Sequence, residues 1–236
     1  KGRPADHPVI VHVADASTID EWAREVPDSA RALAAAFWPG PLTLVLKRSA
    51  RALDVVTGGQ DTVGLRCPDH PVALALLREF GGGLAAPSAN RFGHVSPTTA
   101  AHVRAEFGDA VPVVLEGGEC AVGIESTIVD LSGATARILR PGMLGRDRIE
   151  AVIGPVEAGA TAASPRASGT LEAHYAPRTP LLLLPRSALA KEAAEQQALG
   201  KAVQVLALGR LPDGVPGLAL PSDPASYAHG LYAALR

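Results

Sequence analysis

A chain of 236 residues, 47% hydrophobic and 19% charged, can bury a core of domain size and has room for a second, smaller unit. A net charge of -2 excludes the broadly cationic surface that grips nucleic acid or acidic lipid without specificity, so any polyanion must be held locally. Cys67 and Cys120 are too few for a disulfide framework, no apolar run nears the roughly 20 residues of a membrane span, and the charged N-terminus lacks a secretory apolar stretch, so a soluble cytoplasmic protein is expected.

In chain order, β-rich runs bounded by Gly, Pro or charge predict strands at residues 8–11, 42–46, 111–115 and 127–131. Helix-start signals lie between them. Thr18 with Glu21 reads as a capping box, and Ser96-Pro97 ahead of residues 100–107 predicts a helix with Ser96 as its N-cap. The interleaving predicts an α/β, or α+β layered, fold; periodicity alone does not separate a parallel from a mixed sheet. Residues 155–169 turn to Ala, Gly, Ser, Thr and Pro, which is linker composition. Beyond them, a buried strand at 181–184, a helix at 187–199 closed by Gly200 and a strand at 202–208 predict a βαβ unit. Asp223-Pro224 opens a last helix whose apolar face, Tyr227, Leu231, Tyr232 and Leu235, runs to the final residues without a stop signal.

Four segments offer chemistry. Lys1 and Arg3 put a point charge and a fork at the mouth of the first strand, a set suited to a phosphate chain. Pro87-Ser88-Ala89-Asn90 brings small hydroxyl and amide groups to the end of an apolar stretch, where backbone N–H groups also approach an anion. Gly123-Ile124-Glu125-Ser126-Thr127 enters a strand with two hydroxyls and a carboxylate, and Arg140-Pro141-Gly142 leaves one with a guanidinium on a turn. Taken singly, each is also explained by solvated charge or an ordinary turn.

Together and in this order, Lys1-Gly2-Arg3-Pro4 through His12, Gly64-Leu65-Arg66-Cys67-Pro68, Ala86 through Asn90, Glu125 through Asp130 and Leu139 through Gly142 resemble the YrdC-like threonylcarbamoyl-adenylate synthases. Pro165-Arg166-Ala167-Ser168-Gly169-Thr170 through His174-Tyr175-Ala176-Pro177 is similar to the linker of the family's two-domain branch. The resemblance implies a twisted mixed sheet with helices over residues 1–156, a linker over the active site at 157–178, and a small Rossmann-like α/β domain at 179–236. It implies an enzyme that condenses L-threonine, bicarbonate and ATP to threonylcarbamoyl-adenylate and pyrophosphate, for modification of an adenosine in tRNA.

The resemblance assigns Lys1, Arg3, His7, Thr62, Ser88, Asn90, Ser96, Arg140 and Tyr175 to ATP, with Lys1 and Arg3 stabilising charge in the reaction and no general base assigned. His12, Arg66, Ala86 and Ser126 fall to threonine. Magnesium is expected with ATP, with no dedicated protein metal site. His12 also reads as a satisfied core histidine and Tyr175 as a packing residue of an ordered linker. The expected partners are the small substrates and the downstream tRNA threonylcarbamoyl-transfer machinery, with weak tRNA contact and no membrane. The family has a segment before the Lys-x-Arg motif, with a first strand and a Thr-rich loop, so a fragment of a longer chain is expected, incomplete at both ends. His7 stands where Asn is common. The competing expectations are a non-catalytic RNA-binding module of the same fold and a related carbamoyl-adenylate enzyme of cofactor maturation.

Overall fold

A computed structural model describes residues 1–170 and 174–236; residues 171–173, inside the expected linker, lie outside the described residues. Among those described, seven strands form one mixed sheet in the order β4-β1-β3-β2-β5-β6-β7. They are β1 (Ile10–His12), β2 (Leu42–Lys47), β3 (Thr62–Arg66), β4 (Leu84–Ala85), β5 (Thr127–Asp130), β6 (Arg137–Arg140) and β7 (Glu157–Ala158). Three of the four strands expected in this part of the chain are present. The fourth, 111–115, is irregular, with Val113 and Leu115 exposed, because it has no strand neighbour to pair with.

Central position explains the sequence of β2 and β5. β2 pairs antiparallel with β3 and parallel with β5, so both its faces are covered, and Leu42 to Leu46 are all buried. Alternation then divides the core. Leu44, Leu46, Leu65, Val11 and Val129 face one cluster, which is covered by α1 (Ile19–Trp22) and α2 (Asp28–Phe37). Along α2, Ala30, Leu33 and Ala34 recur at helical spacing and are the residues it buries. On the opposite face Val45, Ile128 and Leu139 pack with Ile10 and with Ala167 of the linker, so the linker residue completes a second, smaller core. The first strand pairs parallel to β3 in the register Ile10–Gly64 and His12–Arg66, which sets His12 beside Arg66.

The remaining helices are α3 (Asp54–Thr57), α4 (Pro71–Phe80), α5 (Ala100–Phe107), α6 (Arg146–Ile153), α7 (Leu189–Ala198) and α8 (Pro224–Ala234). Two caps differ from expectation. Thr18 makes no side-chain cap, since its hydroxyl donates to the Asp15 carbonyl and Asp15 instead caps the 3-10 turn ahead of α1. The cap of α5 is Thr99, which accepts from the His102 amide; Ser96 lies three residues earlier and has another partner.

In the C-terminal part, residues 181–184 form no strand; Leu181, Leu182 and Leu183 are exposed. The apolar run therefore misled, and the expected βαβ order is replaced by a parallel pair, β8 (Val205–Leu208) with β9 (Gly217–Leu220), joined without a helix. The helix closed by Gly200 at φ 76° is present as α7, after a 3-10 turn, and packs its Ala193 on Val205 and Ala207. Asp223 caps α8 by accepting from the Ser226 amide, and α8 reaches the larger sheet unit, where His229 meets the Ala121 carbonyl at 3.1 Å. No described helix is long and apolar enough to cross a membrane.

Candidate active site

The second face of the sheet opens into a cavity of about 250 Å³. Alternation places Ile10, His12 and Arg66 of the adjacent strands β1 and β3 on its floor. Lys1, Arg3 and His7 approach from the segment before β1, Ala86, Ser88, Asn90 and Phe92 from the loop after β4, Glu125 and Ser126 from the entry to β5, Arg140 from the end of β6, and Ser168, Gly169, His174 and Tyr175 from the linker. The cavity thus gathers eleven of the thirteen residues expected at the site. The exceptions are Thr62 and Ser96. Thr62 starts β3 four residues before Arg66, roughly 13 Å along the strand, and does not line the cavity. Ser96 stands one layer back, where its hydroxyl donates to Glu125, which does line it.

Backbone geometry fixes the wall. Lys1 Nζ donates to the carbonyls of Ser88 and Asn90, while its own carbonyl accepts from the Phe92 amide at 2.9 Å, so the first residues and the Ser-x-Asn loop form one unit. Arg3 Nη2 donates to the His7 carbonyl at 2.8 Å and also to that of Pro8. Arg66 Nε donates to the Gly40 carbonyl at 3.0 Å, and its terminal nitrogens have no partner among the described residues. Arg140 is more deeply engaged: Nη1 donates to the Ser168 carbonyl at 2.7 Å and the Tyr175 hydroxyl at 3.1 Å, Nε and Nη2 to the Ser126 carbonyl, and Nη2 to Ser126 Oγ at 2.9 Å. Ser126 Oγ also pairs with Thr43 Oγ1 at 2.8 Å.

Burial and mutual repulsion shape the charges. Lys1 is brought down to about 8, chiefly by burial and then by the neighbouring Arg3. Burial and the adjacent Arg66 bring His12 to about 4, so its imidazole is neutral at neutral pH. Burial likewise lowers His7 and His174, and pushes the Tyr175 phenol up, which keeps it a hydroxyl. Glu125 is the single carboxylate among the described lining residues, 3.8 Å from Arg140.

Among the described residues, the buried side-chain nitrogens and oxygens with no hydrogen-bond partner are Arg3 Nε, His7 Nε2, His12 Nδ1, Asn90 Oδ1 and His174 Nδ1, and all five residues line this cavity. Such groups are paired almost everywhere in folded proteins, so their convergence marks a place built to receive a polar ligand. Tyr175 holds φ at 56°, a left-handed conformation rare for a bulky residue, and a Cβ at Gly169 would come within 2.4 Å of the Tyr175 hydroxyl oxygen. The linker backbone is therefore shaped around that ring.

Several lining residues escaped the sequence reading as contacts. Glu125 stood inside a recognised motif without a role. Phe92 carried no motif, yet it stands edge-on to His7 and His174 with ring centroids 5.6 and 5.2 Å away. A lone aromatic two residues after the Ser-x-Asn pair was the only signal available.

The Sua5/YciO/YrdC family model, described as telomere recombination, matches residues 1–142, and the model described as threonylcarbamoyl-AMP synthase, C-terminal domain, matches 144–236. A curated Pyrococcus abyssi threonylcarbamoyl-AMP synthase is 41% identical over 220 residues, which is 89% of this chain and 65% of that protein. A Bacillus subtilis protein of the same description is 43% identical over 188 residues, 78% of this chain and 54% of the relative. The chain thus spans somewhat over half to about two thirds of the length of these relatives. The crystal structure of P. abyssi Sua5 complexed with L-threonine superposes with a TM-score of 0.93 at 37% identity, covering 100% of this chain and 72% of that one. Matched in both parts of its sequence and throughout its fold, the chain belongs to the Sua5/YciO/YrdC family.

Proposed function

We propose that this chain carries the active site of a threonylcarbamoyl-AMP synthase, joining L-threonine, bicarbonate and ATP into threonylcarbamoyl-adenylate with release of pyrophosphate. The observation that carries this reading is the convergence, on one cavity lined by Lys1, Arg3, Arg66 and Arg140, of five buried polar atoms that have no partner among the described residues. The threonine in the P. abyssi crystal structure supports the amino-acid half of it.

Arg66 suits the threonine carboxylate, because its terminal nitrogens meet no acceptor among the described residues and its Nε is fixed on the Gly40 carbonyl, which aims the fork. His12, Ala86 and Ser126 complete that end. Lys1, Arg3, Ser88 and Asn90 face the triphosphate, and the wall of His7, Phe92 and His174 suits a purine ring. Arg140 and Tyr175 close the nucleotide end through the linker. Ser96 acts on ATP through Glu125 rather than directly, and Thr62 is assigned by family resemblance alone.

The chemistry asks for positioning more than for proton transfer. Threonine's amine and bicarbonate condense to a carbamate with loss of water, and the carbamate's carboxylate then attacks the α-phosphorus as pyrophosphate leaves. The nucleophile arrives already charged, so the protein must hold two anions in line and neutralise the charge that builds on the leaving group. Glu125, the single carboxylate among the described lining residues, offers too few oxygens for a dedicated magnesium site, and magnesium enters as part of the Mg–ATP substrate with ligands from the triphosphate. The setting is the cytoplasm, and the product passes to the machinery that transfers the threonylcarbamoyl group to tRNA.

The test follows labelled bicarbonate into an adenylate in a full-length preparation. Label should enter only when threonine and ATP are both present. Intact ATP binding without labelled product would overturn the reading.

A further inference from the structure

Glu106 occupies the last turn of α5, where the helix's own partial charge disfavours a carboxylate, and its side chain is 4% exposed. Neither placement stabilises a helix, and burying an unpaired carboxylate is costly. What offsets that cost comes from outside the helix. Glu106 Oε1 accepts from the Arg91 amide at 3.0 Å and from His94 Nδ1 at 2.7 Å, and Oε2 accepts from Arg236 Nη2 at 2.9 Å, with Arg178 at 3.8 Å. Burial would raise its proton affinity, but the Arg91 amide, His94 and Arg236 together hold it below the usual carboxylate range.

The loop that Glu106 grips is the one carrying Ser88 and Asn90, the side chains proposed to face the triphosphate. Asn90 Nδ2 donates to the His94 carbonyl at 2.7 Å and to that of Arg91 at 2.9 Å, the Phe92 amide donates to the Lys1 carbonyl, and the Gly93 carbonyl accepts from Ala176 of the linker at 2.8 Å. Phe107, the next residue, lies 5.9 Å beneath Lys1 Nζ and 5.7 Å beneath the Arg91 guanidinium. Glu106 does not line the cavity itself. Arg66 and His12 are held independently, by the Gly40 carbonyl and by the β1–β3 register.

We infer that Glu106 is a positioning residue for the nucleotide half of the site: its carboxylate clamps residues 91–94 and thereby sets Lys1, Ser88, Asn90 and the linker against the triphosphate, while leaving the threonine half untouched. The inference rests on the proposed synthase site, and it distinguishes the two halves by which contacts share the clamp.

The test compares Glu106→Ala and Glu106→Gln with the unaltered full-length protein, measuring Mg–ATP and L-threonine dissociation constants separately by calorimetry and amide exchange at Arg91 and Phe92. Gln keeps an acceptor oxygen, so it serves as the rescue variant if Ala folds poorly. Expected is ATP binding weakened about tenfold in Ala and less in Gln, faster exchange at Arg91, and threonine affinity changed less than about twofold. Unchanged ATP affinity in either folded variant with the Arg91 amide released, or equal weakening for both ligands, would overturn the inference. Binding of both ligands without adenylate formation in the unaltered protein would instead overturn the synthase reading and leave the clamp standing.

Discussion

Arg66 and Arg140 both line the cavity, but their guanidinium groups are engaged differently. The terminal nitrogens of Arg66 meet no acceptor among the described residues, whereas Arg140 already donates to Ser126, Ser168 and Tyr175. Arg66→Ala is therefore expected to weaken threonine binding by about 1.5–3 kcal/mol, the range for a hydrogen bond to a charged group, with little loss of stability. Calorimetric titration with L-threonine and a melting curve check both parts. Lys1 supplies a pH test. Phosphate prefers the charged amine, so with Lys1 near 8 ATP affinity should be full below that pH and decline as pH rises through it. Replacement by Arg, which stays charged, should flatten that limb in a plot of dissociation constant against pH. Much of this was legible in sequence because the motif residues are themselves the lining residues. The contacts of Phe92, and of Gly169 within its motif, were not, since they arise from a ring edge and a close approach that no local pattern encodes.

At the scale of elements, the turn after β6 shows how a motif glycine works. A Cβ at Gly142 would stand 2.5 Å from the Thr127 amide nitrogen and 2.6 Å from the Glu125 carbonyl oxygen, so the turn packs directly on the backbone that carries Glu125 and Ser126. Gly142→Ala should cost about 1–3 kcal/mol, as overpacking does, and should weaken both ligands because Ser126 and Arg140 move together. Thermal melts and paired titrations test it; an unchanged melting temperature would show that the backbone yields. The strands of the larger sheet legible in sequence, β1, β2 and β5, are interior to it, where alternation or continuous apolarity reports burial directly. Runs 111–115 and 181–184 have the same local composition but no strand neighbour, and composition does not encode the neighbour. β4 and β7, two residues each, are too short to leave a period at all.

Across the whole molecule, the site is assembled from segments distant in sequence. The linker returns to the start of the chain, where Ser168 Oγ donates to the Pro8 carbonyl at 2.8 Å, and Arg166 exchanges hydrogen bonds with Gln60 while its guanidinium reaches the Gly58 carbonyl at 2.9 Å. Lys1 likewise meets carbonyls 87 and 89 residues away. The same return sets an order of events in time. Contacts of such long sequence separation close late, because chain entropy must be overcome before they form. In a refolding experiment the far-ultraviolet signal of the sheet and helices should recover first, and competence to bind ATP should lag behind it. Simultaneous recovery would mean that the linker docks as part of the earliest collapse. During synthesis the consequence is sharper: a nascent chain that has emerged only as far as β6 has most of the lining residues in place but not Ser168 or Tyr175, so nucleotide capture should await the arrival of the linker.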